Sequence, residues 1–224
     1  MSTAHLRYTI IGAGHGGKAM AAHLALMGVE VRLYNRTHKH IEALKARGGI
    51  TLETEDCGVG EFGELALVTS NMQEAVAKTD VIMVVVPASA HRDVAELLAP
   101  HLQDGQIIVL NPGRTLGAVE FRKVLRDHNC AAKVVVAEAQ TFIFAARSDG
   151  PAQARILRVK DAVPLAALPS KDTQYVLDAL SSTYPQFIDG GNVLQTGLDN
   201  VGAIFHPTIS LLNAGWIEAT GGNF

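Results

Sequence analysis

Short apolar runs alternate with amphipathic segments along most of the chain. Residues 8–11, 29–34, 81–86, 106–110 and 133–137 are rich in β-branched side chains and predict strands. Alternation of such strands with helices is typical of a parallel sheet with crossover helices, so we expect an α/β fold with a Rossmann-type, doubly wound, mainly parallel sheet. The run 81–86 has no polar alternation, which predicts a central strand buried on both faces.

The remaining pattern fills in this sheet. Helices are predicted over residues 18–27, 38–47, 72–79, 90–98, 117–127 and 172–183. Residues 50–69 predict two short strands around a glycine-rich turn at 58–63, and a last short strand is expected at 186–188. The consecutive strands predicted over 142–147 and 153–159 indicate an antiparallel extension of the sheet.

The character of the chain changes after Asn192, because no further strand pattern occurs. Residues 198–219 predict a long helical segment that is interrupted near Pro207. We therefore expect a dinucleotide-binding domain over residues 1–190, followed by the beginning of an all-α substrate or catalytic domain over residues 191–224.

Composition and charge exclude several classes of protein. Of 224 residues, 48% are hydrophobic and 18% are charged, with a formal net charge of -3, so no basic surplus exists for a nucleic-acid partner. The longest apolar run is too short to span a membrane, and the N-terminus lacks a signal-peptide pattern, which predicts a cytoplasmic protein. Cys57 and Cys130 lie outside any metal-ligand spacing, so we expect reduced thiols and no metal site.

The segment from Gly12 to Gly17 reads Gly-Ala-Gly-His-Gly-Gly and fits the spacing G-x-G-x-x-G between a strand and a helix. Gly12 allows the tight turn, Gly14 lets the backbone approach a pyrophosphate, and Gly17 lets the helix pack close to the strand. The first helical turn, which includes Gly16, offers free N–H groups to phosphate. His15 is expected to cover the pyrophosphate or to face solvent, without a chemical role.

The end of the second strand bears on the choice of dinucleotide. Sites that bind NAD usually place an acidic residue here, whereas this chain has Asn35, Arg36 and Thr37. Asn35 does not repel a 2′-phosphate, Arg36 supplies a planar fork for it, and Thr37 adds a hydroxyl. The residues predict NADP, with NAD as the alternative if Arg36 is only a solvated residue at a strand end.

The carboxyl ends of the other strands should line the ribose and nicotinamide half of the site. Val86 and Pro87 follow the third core strand, Asn111 follows the fourth, and Glu138 follows the fifth. Asn111 is followed by proline and glycine, which also punctuate ordinary turns.

Four stretches together resemble a known family, namely residues 12–17, 84–87 with His91, 110–113 continuing into 117–122, and 200–207. The chain is similar to the opine dehydrogenases (the octopine/nopaline dehydrogenase family), within the wider group of ketopantoate reductase and glycerol-3-phosphate dehydrogenase. The stretch from Asn200 to His206 and Pro207 matches the catalytic signature of that family and is the most specific of the four.

The resemblance implies an activity. Members of this family use NAD(P)H to reduce the imine of an amino acid and a 2-oxo acid. Carried over, His206 is the general acid/base and Asn200 orients the substrate or the nicotinamide. Without the resemblance, His206 would be interpreted as a histidine on a helix face before a proline.

The likeness covers the whole chain but only the first part of a full-length member, so we expect the sequence to stop before most of the helical domain. In the family, the histidine works with an acidic partner from further along that domain. We therefore expect a fragment, a homo-oligomer or a second chain that completes the site. Two alternatives remain open. One is a ketopantoate-reductase-like enzyme, which would need a catalytic lysine in the helical domain, although no lysine follows Lys171 in this sequence. The other is a non-catalytic NADP-binding module or subunit.

Overall fold

The computed structural model describes residues 6–54 and 57–221. Its strands are β1 (Tyr8–Ile11), β2 (Val31–Tyr34), β3 (Gly49–Thr54), β4 (Cys57–Glu64), β5 (Leu67–Thr69), β6 (Val81–Val84), β7 (Ile107–Leu110), β8 (Val135–Ala139), β9 (Phe144–Gly150), β10 (Gln153–Val159), β11 (Val163–Leu168) and β12 (Phe187–Asp189). Its helices are α1 (His15–Leu26), α2 (Glu42–Arg47), α3 (Met72–Val76), α4 (His91–Leu98), α5 (Gly117–Asp127), α6 (Thr173–Leu180), α7 (Val193–Leu198), α8 (Gly202–Leu212) and α9 (Ala214–Thr220).

The main sheet has eight strands in the order β12-β11-β8-β7-β6-β1-β2-β5. The six strands from β8 to β5 run parallel, and their order reverses between β1 and β6. All four residues of β6 are buried, as the unbroken apolar run predicted. The predicted Rossmann-type sheet is confirmed, and its reversal point is where ligands bind in such folds.

The antiparallel part of the fold differs from the prediction. The antiparallel strand of the main sheet is β11, which pairs with β8, whereas β9 and β10 belong to a second sheet in the order β4-β3-β10-β9. Residues 58–63, predicted as a turn, lie within β4, where Glu61, Phe62 and Gly63 pair with β3. Alternation of apolar and polar residues predicts a strand but does not specify which strand it pairs with, which explains the wrong assignment.

Helix α1 lies between the main sheet and the second sheet, and its small side chains allow the close approach on both sides. Ala19, Ala21 and Ala22 are fully buried. A Cβ on Gly63 of β4 would stand 2.8 Å from the carbonyl oxygen of Ala22, and a Cβ on Gly16 would stand 2.8 Å from the ring of Phe142. Helix α1 is therefore packed closely against both sheets.

The C-terminal helices also differ from the prediction near Pro207. This proline lies inside α8, and the segment 198–219 is broken instead at residues 199–201, between α7 and α8, and at Asn213, between α8 and α9. Proline removes a single N–H from the helix, and α8 accommodates this loss. The boundary predicted at residue 190 stays a prediction, and α7 packs against β11 and β8 of the main sheet.

The helices α8 and α9 carry exposed apolar side chains, among them Phe205, Leu211, Leu212 and Trp216. None of the helices within residues 6–54 and 57–221 combines the length and the apolar character needed to cross a bilayer.

We expect the stability of the fold to decrease as the pH falls, through His91. This side chain is 1% exposed, and burial lowers its pKa, an effect that Glu120 opposes and Arg114 reinforces. Below the ordinary pKa of about 6.5, the unfolded state binds a proton that the folded state does not. The free energy of unfolding should then fall by up to about 1.4 kcal/mol per pH unit.

Urea denaturation at a series of pH values, from about pH 8 down to about pH 5, measures this effect. His91→Asn should flatten the curve over that window, whatever its effect on absolute stability. His128→Asn, at an exposed site, is the control substitution. Parallel curves for the wild type and His91→Asn would contradict the assignment.

Candidate functional site

The glycine loop has the geometry that its spacing predicted. Gly12 has φ 110°, in the region that favours glycine, and a Cβ there would collide with the carbonyl oxygen of Val85. A Cβ on Gly17 would collide with the carbonyl oxygen of Gly12. A Cβ on Gly14, in contrast, would meet nothing within 4 Å. The backbone at Gly14 is therefore open at the N-terminus of α1, where a pyrophosphate could approach it.

The end of β9 and the turn that follows it lie against this loop and form a second wall of the cleft at the N-terminus of α1. The backbone N–H of Ser148 donates to Nδ1 of His15 at 2.7 Å, and Nζ of Lys18 donates to the carbonyl oxygen of Gly150 at 2.9 Å. Lys18 is buried, and this burial lowers the pKa of its amine. The cleft of about 510 Å³ between loop and turn is lined by Ala13, Gly14, His15, Lys18, Lys39, His40, Ser148, Asp149, Gly150 and Pro151.

The residues after β2 surround a smaller cavity of about 250 Å³, which Val86 and Pro87 also line. Oδ1 of Asn35 accepts the backbone N–H of Ala13 at 3.2 Å, so this side chain braces the glycine loop. Asn35 also donates to the carbonyl oxygen of Thr37 at 3.1 Å. The structure therefore brings the predicted residues of the adenosine end together around one cavity.

Arg36 is exposed at the rim of this cavity. Its guanidinium donates to Oδ2 of Asp93, on α4, at 3.1 Å. Lys39 and His40 lie close by, in the short turn after β2. Lys39 lines the phosphate cleft, and His40 lines both this cleft and the smaller cavity. An exposed ion pair contributes at most about 1 kcal/mol, so Arg36 can exchange Asp93 for a phosphate at low cost.

Asn111 follows β7 and is buried, and its predicted contact with the cofactor stays a prediction. Its Nδ2 donates to the carbonyl oxygen of Val109 at 3.0 Å and contacts Sδ of Met83 at 3.3 Å. Its Oδ1 is buried without a hydrogen-bond partner among the residues that the structure describes. A buried acceptor of this kind is suited to a donor on a bound ligand.

Glu138 ends β8 with its carboxylate fully buried. Oε2 accepts the backbone N–H of Ala118, in the first turn of α5, at 2.7 Å, and Oε1 accepts the hydroxyl of Thr196, on α7, at 2.8 Å. Burial raises the pKa of this carboxyl, while the two hydrogen bonds lower it by less. Glu138 therefore ties the sheet to two helices, and its predicted contact with the cofactor stays a prediction.

A third cavity, of about 410 Å³, lies where α7 is followed by α8. It is lined by Arg114, Gln140, Thr141, Asp199, Asn200, Val201, Gly202, Phe205 and His206. Asn200 is held between two residues of the loop before α5: its Oδ1 accepts from Nη1 of Arg114, and its Nδ2 donates to Oγ1 of Thr115, both at 3.4 Å. The two residues that the resemblance made catalytic, Asn200 and His206, therefore share one cavity.

The sequence did not indicate several of these residues. None of them belongs to a sequence motif: Arg114 lies in the loop before α5, and Lys39 and His40 lie in the short turn after β2. Ser148 lies in β9 and reaches His15 across 133 positions of the chain. The position of Arg114 three residues beyond Asn111, after the carboxyl end of β7, is the one signal that could have placed it near the site.

A glycine loop that opens onto the reversal point of a parallel sheet defines the Rossmann class of dinucleotide-binding domains. Residues 7–124 match the family described as the NAD binding domain of 6-phosphogluconate dehydrogenase. This is more than half of the chain, which therefore belongs to this family of NAD-binding domains. The prediction that the chain binds a nicotinamide dinucleotide is confirmed.

Known proteins confirm the resemblance inferred from the motifs. The chain is 39% identical over 212 residues to the opine dehydrogenase of Arthrobacter sp. (strain 1C). The aligned region covers 95% of this chain and 58% of that protein. An octopine dehydrogenase solved with NADH and pyruvate superposes with a TM-score of 0.77 at 23% identity, over 94% of this chain and 56% of that one.

A yersinopine dehydrogenase solved with NADP⁺ superposes with a TM-score of 0.74 at 17% identity, over 92% of this chain and 52% of that one. At such identities, the two superpositions show a shared fold. The chain spans a little more than half the length of each of these proteins.

Two alanine substitutions should separate the roles of the glycines. Gly14→Ala should leave the free energy of unfolding within about 1 kcal/mol, because a Cβ there meets open space, but should weaken NADPH binding about tenfold or more. Gly17→Ala should lower the free energy of unfolding by about 2 kcal/mol or more, because its Cβ collides with backbone.

Urea denaturation and fluorescence titration with NADPH measure the two effects. Gly28→Ala serves as a control for added strain outside the site, since Gly28 has φ 79° and open space around its Cβ position. A destabilised Gly14→Ala protein, or a fully stable Gly17→Ala protein, would contradict these roles.

Proposed function

We propose that the chain is the cofactor-binding part of an NAD(P)-dependent dehydrogenase of opine-dehydrogenase type. Such an enzyme acts on CH–NH bonds and reduces the imine of an amino acid and a 2-oxo acid. The observation that carries the proposal is the shared cavity of Asn200 and His206, adjacent to Arg114. The likeness to an opine dehydrogenase over 95% of the chain supports it.

The dinucleotide would supply the hydride when bound, and the residues of this chain would handle binding and protons. His206 takes a proton from the substrate ammonium group, which frees the amine to add to the keto carbon. It then returns that proton to the carbinolamine oxygen, which leaves as water. A histidine suits both transfers because its ordinary pKa lies near neutrality. Asn200, held by Arg114 and Thr115, would orient the substrate.

We further propose that NADP is the preferred cofactor. Asn35 carries no charge and is used to brace the glycine loop, so it does not repel a 2′-phosphate. Arg36 and Lys39 supply cationic groups around the same corner of the site. Thr37 adds a hydroxyl and His40 an imidazole. NAD remains the alternative cofactor. If NAD binds, Arg36 keeps its ion pair with Asp93 and makes no contact with a 2′-phosphate.

A non-catalytic NADP-binding module or subunit is the second candidate. The observation that favours it is that His206 lies on the exposed surface of α8, and among the described residues no carboxylate lies within ion-pair distance of its ring. The chain also spans only a little more than half of its relatives.

The choice of cofactor is tested with Arg36→Ala. Charge-assisted hydrogen bonds to phosphate contribute about 1.5–3 kcal/mol, so the dissociation constant for NADPH should rise about 10- to 100-fold, while that for NADH changes less than about twofold. Arg158→Ala, which also removes an exposed arginine paired with an aspartate, is the matched control. Equal losses for both cofactors would disprove the preference for NADP.

The activity is tested by following NADPH oxidation with pyruvate and a panel of amino acids, using the protein expressed from its complete gene. His206→Asn should lower kcat by about 100-fold or more, as expected for loss of a general acid/base, and should leave NADPH affinity within about twofold. His128→Asn is the control. Turnover that survives in His206→Asn would remove its catalytic role, and tight NADPH binding without any turnover would favour the binding module.

A further inference from the structure

Arg114 is a half-buried cation that has no carboxylate partner among residues 6–54 and 57–221. Its described side-chain hydrogen bond is a long one, 3.4 Å to the amide oxygen of Asn200. Six other arginines of the chain each pair with a carboxylate, namely Arg7, Arg32, Arg36, Arg92, Arg155 and Arg158. A half-buried guanidinium held only by a neutral amide retains donors for an anion.

The backbone that carries Arg114 is strained. Arg114 has φ 60° and Leu116 has φ 59°, a left-handed conformation that costs a side chain of this size free energy. Such strain persists only where the surroundings impose it, and it is concentrated at functional sites. Here the loop between β7 and α5 turns the Arg114 side chain into the cavity that contains His206.

The surroundings of Arg114 are cationic. Lys160 lies near enough that Arg114 helps to lower the pKa of its amine, in addition to the larger effect of burial. Nζ of Lys160 donates to Oγ1 of Thr141, another residue of the same cavity, at 2.7 Å. Asp199 also lines the cavity, but its carboxylate accepts from the amide of Gln140. The charged groups named here are thus two cations, Arg114 and Lys160, and one carboxylate, Asp199, which leaves a positive balance for an anionic ligand.

The position of Gly202 shows how close Arg114 lies to His206. A Cβ on Gly202 would stand 3.1 Å from Nη1 of Arg114 and 3.3 Å from Cδ2 of His206. The guanidinium and the imidazole thus border the same small volume. A 2-oxo acid has its carboxylate directly bonded to its keto carbon, so a carboxylate on Arg114 would place that carbon beside His206.

We propose that Arg114 binds the carboxylate of the 2-oxo acid through its planar fork and thereby positions the keto carbon next to His206. This inference rests on the proposed function for the identity of the ligand. Lysine would be a poorer substitute, because an ammonium group is a point charge without the paired donors that match a carboxylate.

The test compares an acid with its neutral amide. Dissociation constants for pyruvate and for pyruvamide are measured by calorimetry on the NADP⁺-saturated wild type, Arg114→Gln, Arg114→Lys and the control Arg126→Gln, which is exposed on α5. Loss of charge-assisted hydrogen bonds should weaken pyruvate binding about 10- to 100-fold in Arg114→Gln, with a smaller loss in Arg114→Lys. Pyruvamide binding should change less than about twofold in every variant.

Steady-state kinetics provide a second measurement on the same proteins. The KM for the 2-oxo acid should rise in Arg114→Gln by more than kcat falls. The inference is overturned if the wild type does not bind pyruvate, or if Arg114→Gln weakens acid and amide alike. Should Arg114→Gln fail to fold, equal pyruvate affinity in Arg114→Lys and the wild type overturns it. Binding of pyruvate that depends on Arg114 but without any NADPH oxidation would support the inference and reject the proposed enzyme.

Discussion

The buried carboxylate of Glu138 is the interaction on which the candidate substrate site depends. It joins the end of β8 to the first turn of α5 and to α7 through two hydrogen bonds. Gly113 and Gly197 lie against it, and a Cβ on Gly113 would collide with its side chain. Arg114 follows Gly113 directly, and Asn200 lies three residues beyond Gly197. One buried group therefore determines where the residues around His206 stand.

Burial of a carboxylate is costly, and the cost explains why its surroundings are so specific. Loss of Glu138 would leave the N–H of Ala118 and the hydroxyl of Thr196 without partners in the interior, at about 1–3 kcal/mol for each. The adenosine end is built differently, since Arg36 and Asp93 are exposed and weakly coupled. The site thus combines a rigid end, where the geometry for chemistry is set, with an adaptable end that can rearrange around a nucleotide.

The sequence predicted those features that depend on local spacing. The parallel strands, α5 and the roles of Gly12, Gly14 and Gly17 follow from periodicity and from the glycine motif, and each has the expected place in the structure. Features that depend on distant partners were missed. The assignment of β9 and β10 to a separate sheet was one, because two alternating strands do not specify the sheet that receives them.

The same limit applied within the site. Arg114 was not singled out, because its significance comes mainly from strained backbone and from a cavity shared with His206, 92 positions later in the chain. Pro207 had the opposite effect: it predicted a break that does not occur. A helix can tolerate the loss of one N–H donor when its other backbone hydrogen bonds are formed. Asn200 and His206 were found through a family signature and not through any local physical pattern.

The contact between His15 and Ser148 has a consequence for how the protein acquires its site. Because Nδ1 of His15 accepts a hydrogen bond, the neutral ring carries its proton on Nε2, next to the phosphate cleft. Because Ser148 belongs to β9, that arrangement exists only after a late segment of the chain has folded back onto an early one. A dinucleotide that binds the finished cleft would therefore stabilise the second sheet by mass action, although Ser148, Asp149 and Gly150 are the described residues of that sheet that line the cleft.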